Sequence, residues 1–169
     1  MGHGIAHAAA AAGFETAMYD VSRAAVEKGR QRIDDIFRKG VELGKVAPAD
    51  AEAAMKRLAI SDTLPDVLSG ADFVIEAAPE KMDLKLHLIA EIDRHAPAHA
   101  IVTTNTSALS ITEMAGASKH PGRVAGMHFF NPVHRMKLVE IVRALESAPA
   151  TLEAVEAVST QMGKETVLV

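Results

Sequence analysis

The 169-residue chain contains no cysteine. That excludes disulfides, thiol nucleophiles and cysteine-ligated metal, and nothing points to secretion. No uninterrupted apolar run of about 18 residues is present, so no segment has the length that spans a bilayer. Positive charge is not in excess either: 18 lysines and arginines against 22 aspartates and glutamates leave a net charge of −4. Nucleic acid and anionic membrane surfaces are therefore not indicated as partners. The alanine-rich start lacks a basic leading segment and is interrupted by His3, His7 and Gly13, so it does not read as a signal peptide. What is there is 49% hydrophobic and 24% charged, a globular composition in a chain long enough to bury a core. A cytoplasmic protein forming one domain over residues 1–169 is the default expectation.

The stretch richest in chemistry runs from Val124 to Val142. Val124-Ala125-Gly126-Met127-His128-Phe129-Phe130 and Leu138-Val139-Glu140-Ile141-Val142 are two apolar runs, and each carries one ionisable side chain. Between them Asn131-Pro132 forces a turn, because a residue before proline is pushed out of the helical region. The chain is expected to double back and bring Glu140 towards His128. A histidine beside a carboxylate can move a proton at neutral pH, since imidazole titrates near pH 6.5 and the carboxylate fixes its tautomer. A satisfied core histidine is the plainer alternative.

Near the start, Gly2 and Gly4 open a helix expected over 2–12, favoured by its alanines and ended by Gly13. A short strand at 16–19 follows, closed by Asp20. Glycines at a helix N-terminus let a pyrophosphate approach, and an acid ending the next strand takes ribose hydroxyls. A carboxylate at Asp20 would favour NAD over NADP by repelling a 2′-phosphate. The same residues also suit an ordinary helix start and strand-end cap.

Gly126-Met127-His128-Phe129-Phe130-Asn131-Pro132 followed by Lys137-Leu138-Val139-Glu140 resembles the L-3-hydroxyacyl-CoA dehydrogenase family. Asn105-Thr106-Ser107, Glu76-Ala77-Ala78-Pro79-Glu80, Met1-Gly2-His3-Gly4-Ile5-Ala6 and Asp20 match the same family in the same order, over nearly the whole chain. The resemblance implies an α/β, Rossmann-like, doubly wound and mostly parallel sheet, with a long helical hairpin after the second strand. It implies NAD as cofactor and an acyl-CoA as substrate, with a 3-hydroxyacyl thioester oxidised. His128 would be the base and Glu140 its partner, while Ser107 and Asn131 hold the reacting oxygen and His128. Gly2, Gly4, Asp20, Glu80, Lys85 and Asn105 would contact the cofactor, Glu80 and Lys85 near the nicotinamide ribose.

The family's first strand and leading glycine would precede Met1, and its helical substrate and dimerisation domain would follow Val169. The 1–169 domain is therefore expected to be incomplete at its N-terminus, and the longer parent a homodimer. A non-catalytic nucleotide-binding or assembly module, and a piece of a multifunctional fatty-acid oxidation subunit, are the rival readings.

Elsewhere the pattern predicts helices at 21–39, 48–58, 83–94, 110–117 and 151–162, and strands at 58–60, 72–77, 100–104 and 166–169. The strand at 72–77 reads as buried. Gly40 and Gly44 are expected to mark a turn between the first two helices. Basic residues on that hairpin, such as Arg23, Lys28, Arg30 and Lys45, read as a solvated face, and the resemblance implies that some of them meet CoA phosphates. His95 and His99 are four apart, but Pro97 separates them and no acid completes a set, so no metal site is assigned.

Overall fold

The computed structural model describes residues 1–169. The chain forms two compact units, Met1–Val67 with Asn131–Arg135, and Leu68–Phe130 with Met136–Val169.

In the first unit, helix α1 (Gly2–Ala11) leads to strand β1 (Thr16–Met18), which pairs in parallel with β2 (Leu58–Ile60). Gly13, at φ +96°, makes the turn after α1 in a conformation that glycine adopts without strain. Between the strands lies the hairpin of α2 (Arg23–Glu42) and α3 (Pro48–Lys56). Ser22 caps α2, its hydroxyl accepting from the Ala25 N–H at 3.2 Å. Alanines of α1 and α3 let these helices close on Ile33 and Phe37, so Ala6, Ala10, Ala51, Ala54 and Leu58 complete one apolar core. Gly40 is not part of the turn, contrary to expectation, but lies within α2. A Cβ there would stand 2.9 Å from the Val46 side chain, so the glycine admits the returning chain, and Gly44 alone makes the turn at φ +67°.

Helix α4 (Leu64–Leu68) leads into the second unit, whose sheet has the order β3-β4-β5-β6-β7. Its strands are β3 (Phe73–Glu76), β4 (Ile101–Thr104), β5 (Val124–Phe129), β6 (Leu138–Val142) and β7 (Glu165–Leu168). Helices α5 (Met82–His95), α6 (Ile111–Gly116) and α7 (Pro149–Gln161) make the connections. All pairings are parallel except β5 with β6. Strand β3 is only half-buried apart from Glu76, not the interior strand its apolar run suggests, because it is the edge of its sheet. Strand β5 is central and buried at every position but His128. Helix α7 starts at Pro149, two residues before the expected start, since proline suits the first helical turn.

Gly126 sets how closely β5 approaches its neighbours. A Cβ there would lie 2.8 Å from Val142 Cβ and 3.0 Å from Ile111 Cδ1. Overpacking of this kind costs about 1–3 kcal/mol. Gly126→Ala is therefore expected to lower Tm by about 2–12 °C in a chain of this size. An unchanged Tm in a thermal melt would show that the crossing relaxes freely.

Away from the crest, Arg123 donates to Asp93 Oδ1 at 2.6 Å and to the carbonyls of Pro97 and Ala100 at 2.6 and 3.3 Å. Asp93 also accepts from the Ser118 hydroxyl at 2.9 Å and from the Lys119 N–H. Burial raises the Asp93 pKa, but Arg123, the Lys119 N–H and Ser118 outweigh it and hold the carboxyl below its ordinary range. This contribution to stability is present above the unfolded value of about 3.9 and is lost as pH falls through the lower folded value. Asp93→Asn leaves Arg123 buried without its counter-charge, which costs about 3–5 kcal/mol near neutral pH. The difference between variant and wild type should narrow below about pH 4 in denaturant titrations. A pH-independent difference would contradict this.

Candidate active site

His128 and Glu140 sit opposite each other in the antiparallel β5–β6 pair. The chain doubles back as the proline turn suggested. His128 Nδ1 lies 2.7 Å from Glu140 Oε2, with 17% of the histidine side chain and 35% of the glutamate side chain exposed. An ionised carboxylate can only accept, so Nδ1 carries the proton and Nε2 keeps its lone pair. The Phe130 ring, 4.6 Å from the imidazole and tilted by 48°, covers one side of the histidine.

The segment after β4 is stitched to this place. The Asn105 side-chain oxygen accepts from the Phe129 N–H at 2.9 Å, one residue beyond His128. The Asn105 N–H in turn donates to the Glu76 carbonyl at 2.7 Å. Glu80 then gathers the rest of the segment on a single oxygen. Its Oε1 accepts from the Thr106 hydroxyl, from the Ser107 and Ala108 N–H groups at 3.0 and 3.3 Å, and from the Ser107 hydroxyl at 3.4 Å. Burial pushes the Glu80 carboxyl up, but these hydrogen bonds and the Lys85 charge prevail and leave its pKa lowered. At 3.4 Å the Ser107 hydroxyl is held only loosely by Glu80, so its proton can turn to a substrate oxygen.

Lys85, expected beside the nicotinamide ribose, is placed otherwise. Its side chain is 0% exposed, and its ammonium lies 3.0 and 2.9 Å from the two Glu76 carboxylate oxygens. A buried ammonium needs such a counter-charge, and Glu76 ends β3 where it can supply one. Sequence reasoning missed Glu76. Its signal was an acid closing the apolar run Phe73-Val74-Ile75, nine residues before a lysine on the next helix.

In the first unit, Gly2 begins α1 with no atom within 4 Å of where a Cβ would stand. No acid occupies the first turn of α1, and the Gly4 N–H donates to the Met1 carbonyl at 2.9 Å, so the N–H groups ahead of it are the ones placed to meet an anion. Asp20 is exposed after β1, and one of its oxygens accepts from the Ser22 N–H at 2.8 Å, leaving the other for a ligand hydroxyl. These residues fit the pyrophosphate and ribose of a dinucleotide. Gly4 also has a packing task. It is buried, and a Cβ there would lie 3.1 Å from the Val133 side chain, so its bareness seats the segment that holds Val133. Asn131, whose peptide bond to Pro132 is cis, is exposed in that same segment.

Several other charges are engaged locally. His95 lies 3.7 Å from Glu91 and His99 2.9 Å from Asp72. On the hairpin, Arg30 donates to the Leu58 carbonyl at 2.7 Å and Arg23 pairs with Glu27 at 2.7 Å and with Asp62.

A mostly parallel α/β architecture and a bare helix N-terminus with an acid after the following strand are features of the dinucleotide-binding class of domains. More particularly, the chain belongs to the family described as 3-hydroxyacyl-CoA dehydrogenase, NAD binding domain, whose model matches residues 1–169. It is 43% identical over 167 residues to a probable 3-hydroxybutyryl-CoA dehydrogenase of Bacillus subtilis, covering 99% of this chain and 58% of that protein. It is 41% identical over 171 residues to the fatty acid oxidation complex subunit alpha of Idiomarina loihiensis, covering 100% of this chain and 23% of that one. Among solved structures, (S)-3-hydroxybutyryl-CoA dehydrogenase PaaH1 from Ralstonia eutropha superposes with a TM-score of 0.97 at 41% identity, covering 100% of this chain and 59% of that one. The chain thus spans under two thirds of the length of these relatives.

Proposed function

We propose that the protein catalyses the NAD-dependent oxidation of an L-3-hydroxyacyl-CoA to the 3-oxoacyl-CoA, or the reverse reduction. The observation that carries this is the 2.7 Å pair of His128 and Glu140 at the one position of β5 that is not buried. His128 Nε2 takes the proton of the 3-hydroxyl and returns it in the reduction. Glu140 holds the Nδ1 proton and stabilises the imidazolium while the proton is held. Ser107 donates its hydroxyl proton to the reacting oxygen, and Asn131 helps fix that oxygen. Bound NAD would accept the hydride that leaves C3. Gly2 and Asp20 are the residues suited to its pyrophosphate and ribose, and Glu80, with Oε2 outside the bonds to residues 106–108, suits a ribose hydroxyl.

Family membership over residues 1–169 supports the cofactor, and the names of the relatives support the CoA thioester. A homodimeric, cytoplasmic parent accords with the same resemblance, and no helix is long and apolar enough to cross a membrane. The test is acetoacetyl-CoA-dependent consumption of NADH. Binding of NADH without any turnover of the thioester would favour a non-catalytic module.

A further inference from the structure

Lys85 is a charge with no route to solvent, and its four acceptors come from two different strand ends. Beyond the Glu76 carboxylate, its ammonium reaches the Ala78 carbonyl at 3.1 Å and the Asn105 carbonyl at 3.3 Å. Ala78 lies just after β3 and Asn105 just after β4. Glu76 is saturated in its turn, accepting also from the Thr104 hydroxyl at 2.6 Å and the Ala78 N–H at 2.5 Å. Asn105, held through its carbonyl, passes its side-chain oxygen to the Phe129 N–H. A continuous chain of bonds therefore runs from the interior of the sheet to the residue next to His128.

We propose that Lys85 and Glu76 are positioning residues: a buried clamp that fixes the ends of β3 and β4 so that Asn105 secures β5 beside the catalytic histidine. A buried ion pair alone would not need the two carbonyls. An ammonium donates along three directions, and here it uses them across two crossover loops, tying backbone to backbone. Glutamine or methionine at position 85 could fill the space, but neither could donate three bonds. The clamp deepens the dehydrogenase reading, and its kinetic arm rests on that reading.

Three preparations test it: wild type, Lys85→Met, and the double variant Glu76→Met with Lys85→Met, in which no charge is left buried and unpaired. Amide hydrogen exchange is read at Phe129 and, as an internal reference, along the β6–β7 pair. Lys85→Met should speed exchange at Phe129 about tenfold more than at the reference amides, since local opening adds to any global loss. The double variant should regain thermal stability, because an apolar pair often replaces a buried ion pair without penalty. It should not regain protection at Phe129. In kinetics, kcat should fall about tenfold in both variants while NADH affinity stays within about threefold, as expected for lost positioning rather than lost binding.

Parallel loss of protection at Phe129 and at the reference amides would overturn the clamp. So would full recovery of Phe129 protection and kcat in the double variant. A rise in the NADH dissociation constant that accounts for the whole kinetic loss would put Lys85 in the cofactor site instead, and overturn it too. An inactive wild type would refute the dehydrogenase reading alone, because the exchange measurement still decides the clamp.

Discussion

His128→Ala is expected to lower turnover by about 10²–10⁴-fold, the range for removing a general base, while NADH affinity changes by less than about twofold. In the proposed reaction the proton of the 3-hydroxyl has no other acceptor of the right kind on β5, whose remaining side chains are buried apolar groups and a glycine. The fold should tolerate the change. His128 is partly exposed, and the Glu140 carboxylate it leaves behind is 35% exposed and can hydrate. Steady-state kinetics beside a calorimetric NADH titration separates the effects. Equal losses of turnover and binding would remove His128 from the role of base.

Glu140→Gln should cost about 10–10³-fold in turnover, less than the ~10⁴-fold seen when a fully buried orienting carboxylate becomes an amide. Two things change at once. The negative charge that stabilises the imidazolium is lost, and an amide N–H can now face Nδ1. Facing that donor, the imidazole would move its proton to Nε2 and lose the lone pair that takes the substrate proton. Partial exposure of Glu140 lets water soften the first effect, which sets the lower bound. The tautomer can be read directly from the ring-nitrogen NMR shifts of His128. A variant with wild-type turnover and a proton still on Nδ1 would show that the carboxylate serves only packing or solubility.

The His128–Glu140 pair was legible because its cause is local. Two apolar runs and an X-Pro turn dictate an antiparallel return, and the register follows from twelve residues of chain. The caps of α2 and α6 are local in the same way, Ser22 and Ser110 each accepting from an N–H three residues on. What escaped was non-local. Lys85 and Glu76 look like a helix-entry charge and a strand-end acid until the sheet closes and removes both from water. Asp93 and Arg123, 30 residues apart, gave no pattern at all, though they bind one helix to the start of β5. Three glycines serve close approach, a non-local cause. Gly4, Gly40 and Gly126 admit Val133, Val46 and Val142 at close range, and of these only Gly40 was assigned to a turn that it does not make. Interior β3 was a further misreading, since an apolar run cannot tell an edge strand from a central one.

The most direct test of the proposed activity is to add acetoacetyl-CoA to the protein with NADH and follow the loss of NADH absorbance, with free acetoacetate as the control. Saturable oxidation of NADH that requires the thioester, and that His128→Ala abolishes while still binding NADH, is the expected result. Oxidation that proceeds equally in His128→Ala, or bound NADH that the thioester never consumes, would contradict a dehydrogenase built on the His128–Glu140 pair.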